Sequence, residues 1–209
     1  MMKAWRAPRY LLALLCFIFS INVSANANPV ADPGKALSDA ALERTKALVI
    51  YDPAYVAIDY PNGDVPAYTG VCSDVVIRSY RKLGIDLQRL VHEDMRAHFT
   101  QYPAKRIWGQ SKPDANIDHR RVPNLETYFQ RQGASLAITQ RAQNYLPGDV
   151  VSWMFPGNKP HIGIVVSQKS SDGTPLIVHN IGWGPRLENV LFAYPIVGHF
   201  RYLPKPSSH

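Results

Sequence analysis

The chain changes its hydrophobic period at Pro147, and that change limits what it can build. Ahead of it, apolar residues recur at helical spacing. Leu37, Ala40, Ala41 and Leu48 predict a helix over 36–50, with Ser38 or Asp39 helping to cap its start. A second helix is predicted over 70–83, closed by Gly84, and a third from Asp86 to about Tyr102 with Leu87, Leu90, Val91 and Met95 on one side. A short helix over 124–132 stops at Gly133, while 52–69 and 105–122 read as loop. Behind Pro147 come β-rich runs at 150–155, 162–166, 176–178 and roughly 197–203, parted by Pro156-Gly157-Asn158 and Asp172-Gly173. Helices first and an antiparallel sheet afterwards is an α+β pattern, and the length of 209 residues suits one such domain.

Residues 1–27 stand apart from that pattern. Lys3, Arg6 and Arg9 precede an apolar run from Leu11 to Ile21, and Ala25-Asn26-Ala27 supplies small residues for cleavage. This order predicts a secretory signal peptide cut after Ala27, with Ala25 as the alternative. The apolar run is about a dozen residues, short of the roughly 20 that a spanning helix needs. The expected product is a secreted or periplasmic domain over 28–209 with no stable membrane insertion. The leader takes three of the 23 Lys and Arg and none of the 16 Asp and Glu, leaving a net charge of about +4. No basic run is interleaved with aromatics, so no nucleic-acid partner is expected.

Cys16 leaves with the leader, and Cys72 becomes the only cysteine. A lone thiol in an oxidising compartment is either reactive or a small buried hydrophobe. Cys72 opens a predicted helix, where free N–H groups favour the thiolate and can hold an oxyanion. His161 opens one predicted strand and His179 ends the next. Adjacent antiparallel strands would bring the two histidines to the same end of the sheet, as a base and its orienting partner require. Other chemistries find no motif. His92-Glu93 lacks a second histidine at metal-ligand spacing, and neither a G-x-S-x-G elbow nor a phosphate-binding glycine loop is present. No metal or cofactor is expected.

Four segments together carry a resemblance: Gly70-Val-Cys72-Ser-Asp-Val-Val-Ile, Leu146-Pro-Gly-Asp149-Val-Val, His161-Ile-Gly-Ile-Val and Val178-His179. In this order they resemble the NlpC-type papain-like cysteine peptidases over roughly 58–83 and 146–203. The whole chain is more closely similar to an exported bacterial family known only as a domain of unknown function. The resemblance implies a papain-like α+β fold, with N-terminal helices that carry the nucleophile packed on a C-terminal antiparallel sheet. It implies Cys72 as nucleophile, His161 as general base and His179 as the orienting group, with Asn180 as the alternative third member. Tyr60 stands about where those enzymes place an oxyanion-binding tyrosine. The implied activity is hydrolysis of amide bonds, with peptidoglycan peptides as substrate. An acyltransferase on the same residues and a non-catalytic cell-envelope binding module are the competing readings.

The chain departs from that pattern twice. Asp74 takes the place of a glycine two residues after the nucleophile, and is expected to cap backbone groups or pair with an arginine. A segment of about 86–145 is inserted between nucleophile and sheet, where it can wall a substrate cleft. Within it, His119 in Asp118-His119-Arg120-Arg121 reads either as a contact for an anionic substrate or as part of a structural ion-pair cluster.

Overall fold

In the computed structural model, residues 1–2 and 32–203 are described. The expected leader, apart from its first two residues, lies outside them, and the fold is that of the unit beginning at residue 31.

Among the described residues, five α-helices and seven strands are formed. Helix α1 spans Pro33–Arg44, capped by the Asp32 side chain on Gly34 N–H, with Pro33 in the first turn. It starts earlier than expected because Asp32-Pro33 is the stronger start signal, and it ends earlier because Ile50 belongs to a strand. That strand, β1 (Ile50–Tyr51), pairs in parallel with β2 (Thr69–Gly70), the step just before the helix that Cys72 opens. Helix α2 spans Cys72–Lys82, and every residue from Cys72 to Tyr80 is buried. Then come α3 (Leu87–His98), α4 (Ala104–Trp108) and α5 (Val122–Arg131). Here 105–122 is more ordered than the loop reading: it contains part of α4 and a 3-10 turn at Asp118–Arg120. That turn is held by its own buried side chains, which leave no periodic signature.

The strands β3 (Val150–Phe155), β4 (Lys159–Lys169), β5 (Pro175–His179), β6 (Arg186–Glu188) and β7 (Ile196–Phe200) form one antiparallel sheet in the order β6-β5-β4-β3-β7. Strand alternation gives this sheet two apolar faces. Val150, Ile162, Ile164, Val166, Val178 and Phe200 join α1, α2, α3 and α5 in the main core, which also takes in Cys72. Val151, Trp153, Val165 and Ile177 meet Tyr145 and Leu191 on the other face, where the stretch after β6 folds back over them. Among the described residues, no helix is long and apolar enough to cross a membrane.

The Pro147-Gly148-Asp149 turn is a structural hub. Gly148 adopts φ +87°, and a Cβ there would fall 2.5 Å from the Gly34 carbonyl oxygen, so α1 can dock only on a glycine. The fully buried Asp149 carboxylate accepts from Leu146 N–H at 2.8 Å, His199 Nε2 at 2.8 Å and Arg201 Nε at 2.7 Å. One carboxylate thus ties the turn that starts the sheet to the region where the sheet ends.

Candidate active site

Cys72 begins α2 with its sulfur turned inward, and the residue is only 5% exposed. The groups that favour its thiolate are backbone: the N–H of Ile162 on β4, with those of Ser73 and Cys72 itself. Asn180 explains this docking. Its Nδ2 donates to the Gly70 carbonyl oxygen at 3.3 Å and its Oδ1 accepts from Gly182 N–H, so the chain ahead of α2 is held where β5 stops.

Strands β4 and β5 are adjacent and antiparallel, with Ile164 opposite Val178. His161 and His179 therefore stand side by side, and Nε2 of His161 lies 2.8 Å from Nδ1 of His179. His161 is steadied by Phe155, stacked on its ring at 4.5 Å between centroids. His179 is anchored in turn, with its Nε2 hydrogen-bonded to Glu188 Oε2 on β6 at 2.7 Å. No hydrogen bond joins the His161 ring to the sulfur in this state; the contact between them runs through the backbone of the next residue, Ile162. Catalytic hydrogen bonds in unliganded sites are commonly long and tighten only with substrate bound.

The electrostatics describe a resting neutral pair. Burial pushes the Cys72 thiol up to about 11, helped by the negative charge of Asp74; the backbone donors oppose this and lose. The helix start alone would favour a thiolate, so the sequence-based expectation is corrected here by desolvation. Burial also pushes His161 down to about 3, with His179 adding to the shift. Burial lowers His179 as well, against the opposing pull of Glu188. A neutral imidazole is the form that can accept a proton.

The remaining candidates divide. Asp74 is turned away from solvent: its carboxylate accepts from Val71 N–H at 2.6 Å and from Arg120 Nε and Nη2, each at 2.9 Å. It caps and pairs as a structural carboxylate and offers nothing to a substrate. His119 is 2% exposed, with its Nδ1 unpartnered; burial, then Arg120, pushes it down to about 3. It is a core histidine. Tyr60 sets its ring edge-on to His92 of α3 at 5.0 Å between centroids. Tyr51, on the strand paired with the step before α2, has its phenol held above its ordinary range by burial and then by Cys72 and Asp74. The sequence position selects Tyr60, whereas the pairing of Tyr51 with Gly70 holds a different tyrosine at the step before Cys72. Glu188, on a three-residue strand, carried no recognisable signal either.

A cleft of about 300 Å³ opens at the start of α2, lined by Pro53, Tyr55, Val71, Ile117, Arg120 and Arg121. Half of its wall comes from the 86–145 segment. A wider groove of about 800 Å³ runs past Tyr102, Lys105, Glu126 and Gln130, and none of the candidate residues lines it.

The family model described as "Domain of unknown function (DUF1287)" matches residues 38–202. The chain belongs to this family. Its relative "Uncharacterized protein YijF" of Escherichia coli (strain K12) is 46% identical over 206 residues, covering 96% of this chain and 100% of that protein. Two solved structures align over 84% of the chain: NlpC1 from Trichomonas vaginalis, 15% identical with a TM-score of 0.45, and NlpC2 from the same organism, 19% identical with a TM-score of 0.43. The chain spans 46% and 48% of those two chains. The matched span of the DUF1287 family takes in Cys72, His161, His179, Tyr51 and Glu188 alike.

Proposed function

We propose that this member of the DUF1287 family is an exported cysteine hydrolase that cleaves amide bonds in peptides, with peptidoglycan peptides as the substrate class. The observation that carries the reading is the 2.8 Å bond between His161 Nε2 and His179 Nδ1, formed one residue from Ile162, whose backbone N–H favours the Cys72 thiolate. Such a bond orients an imidazole and leaves its Nδ1 for the thiol, the arrangement a nucleophile–base pair needs.

In the proposed reaction, His161 Nδ1 takes the proton from Cys72 as the sulfur attacks the amide carbonyl. Because both groups rest neutral, proton transfer accompanies attack. The N–H groups of the α2 start and the Tyr51 hydroxyl stabilise the oxyanion. His161 then protonates the leaving amine, and water hydrolyses the thioester. The expected leader over 1–27 and the departure of Cys16 with it support the assignment to the cell envelope. The four-segment resemblance supports the peptide substrate.

A second reading rests on the burial of Cys72. A thiol that is 5% exposed and pushed up to about 11 also suits a scaffold that binds envelope components without cleaving them. The two readings part on one experiment: incubating the purified chain and its Cys72→Ala variant with muropeptides and identifying products by mass spectrometry. Products from the parent alone support the hydrolase. Equal products from both remove Cys72 as nucleophile. Muropeptides bound but uncleaved by both support the binding module.

A further inference from the structure

We propose that Glu188 is a positioning residue of this site, fixing the proton positions of the His179–His161 pair so that Nδ1 of His161 is left without a proton. The inference rests on the reading of Cys72 and His161 as nucleophile and base.

The argument is one of donors and acceptors. A carboxylate only accepts, so the 2.7 Å bond to Glu188 Oε2 requires His179 to carry its proton on Nε2. Neutral His179 then presents a lone pair at Nδ1. Nδ1 of His179 lies 2.8 Å from Nε2 of His161, and one proton must lie between the two nitrogens. With Nδ1 of His179 bare, that proton belongs to His161 Nε2. His161, neutral as well, therefore has its lone pair on Nδ1, the tautomer that can accept from a thiol. Reversing the tautomer of His179 would reverse that of His161 and disable the base. A third member that is itself a histidine, unlike an amide oxygen, can face the base as donor or as acceptor. It therefore needs something behind it to make the choice.

The fold supplies that group by register. β6 pairs with β5 with Ile177 opposite Glu188 and His179 opposite Arg186, so Glu188 sits diagonally across from His179 on the same side of the sheet. The His179 side chain is 1% exposed and that of Glu188 is 36% exposed, so the relay runs from a buried imidazole to a carboxylate at the protein surface. During attack the S–H bond breaks, the new N–H bond forms at His161 Nδ1, and the Nε2 proton stays on His161. Glu188 receives no proton; it keeps His179 an acceptor while His161 is charged.

The test reads tautomers directly, without turnover. Long-range ¹⁵N–¹H spectra of the uniformly labelled full chain distinguish protonated from bare ring nitrogens, with His161→Gln and His179→Gln variants assigning the signals. Wild type is expected to hold both rings protonated at Nε2. Glu188→Ala is expected to populate the Nδ1-protonated form of both, and to lower kcat on muropeptides about 10- to 100-fold with KM little changed. Glu188→Gln, whose amide can donate as well as accept, is expected to mix the tautomers while retaining the fold. Wild-type rings protonated at Nδ1, or tautomers unmoved in both variants, overturn the proposal. Equal cleavage by Cys72→Ala and the parent overturns the hydrolase reading instead, and with it the assignment of the base, whatever the spectra show.

Discussion

Arg120 meets Asp74 through two hydrogen bonds of 2.9 Å at a place where both side chains are only 3% exposed. The same arginine reaches the Ala54 carbonyl oxygen at 3.3 Å, and its own carbonyl oxygen accepts from Ser73 Oγ at 2.6 Å. Arg120, from the 86–145 segment, therefore clamps α2 and the backbone after Tyr51 together. A carboxylate at position 74, unexpected beside a thiol, is made tolerable by that partner.

Breaking the pair from one side leaves a buried charge unmatched, which costs about 3–5 kcal/mol. Arg120→Met is expected to lower the unfolding free energy by that amount in urea titrations. Adding Asp74→Asn to Arg120→Met should recover part of it. An additive double variant would mean that the two side chains do not interact.

The legibility of fold and site in the sequence depends on where each signal resides. Cys72 opens α2 and His179 ends β5, and such boundaries are written locally, as by Gly70 ahead of α2, while His161 stands two residues inside β4, in an apolar run that the sequence also shows. The sheet and the α+β order were legible for the same reason. Tyr51 and Glu188 belong to elements of two and three residues, too short to leave a period. Their placement depends on pairings with Gly70 and Ile177 that lie outside their own segments. Burial was also hidden: nothing local reveals that the Cys72 sulfur is sunk between α2 and β4, and that placement reverses the effect of the helix start on its ionisation.

That reversal is measurable. With the thiol held near 11, carbamidomethylation of Cys72 by iodoacetamide should accelerate about tenfold per pH unit from 7 to 10, without an acidic plateau. Peptide mass spectrometry tracks the modified Cys72 peptide. A rate already flat between pH 5 and 8 would indicate a preformed thiolate–imidazolium pair.

His119 links stability to pH. Its folded value is pushed from 6.5 down to about 3, first by burial and then by Arg120. Below 6.5 the unfolded chain therefore takes up a proton that the folded chain refuses. Its contribution is complete above 6.5 and drains away as the pH falls toward 3; by pH 5 the loss is about 2 kcal/mol. His119→Gln should lose less stability between pH 7 and pH 5 than the parent by that margin, as read from urea midpoints. An identical loss would mean that His119 is solvated in solution.

The two tyrosines separate on activity. Removing one oxyanion donor costs about 10²-fold or more in rate. Tyr51→Phe is expected to slow muropeptide cleavage by about that factor, whereas Tyr60→Phe, which keeps the ring against His92, should leave the rate unchanged. The opposite ranking would restore Tyr60 to the site.

Gly163 gives the sharpest steric test, because the glycine two residues after His161 lies against His179. A Cβ added there would fall 2.7 Å from Ile177 Cγ2 and 3.0 Å from both His179 Cβ and the Val178 carbonyl oxygen. Neither strand can yield without shifting β5, so Gly163→Ala should cost about 1–3 kcal/mol in stability. It should also push His179 off His161, and displacements of a few tenths of an ångström in a catalytic pair lower the rate by roughly tenfold. Adding Ile177→Ala removes the closest clash but leaves those with His179 and the Val178 carbonyl oxygen. The double variant is therefore expected to relieve only part of the overpacking strain and not to regain the parent's rate. Recovery of the rate in that double variant would show that His179 tolerates the displacement, and that its 2.8 Å bond to His161 is not what orients the base.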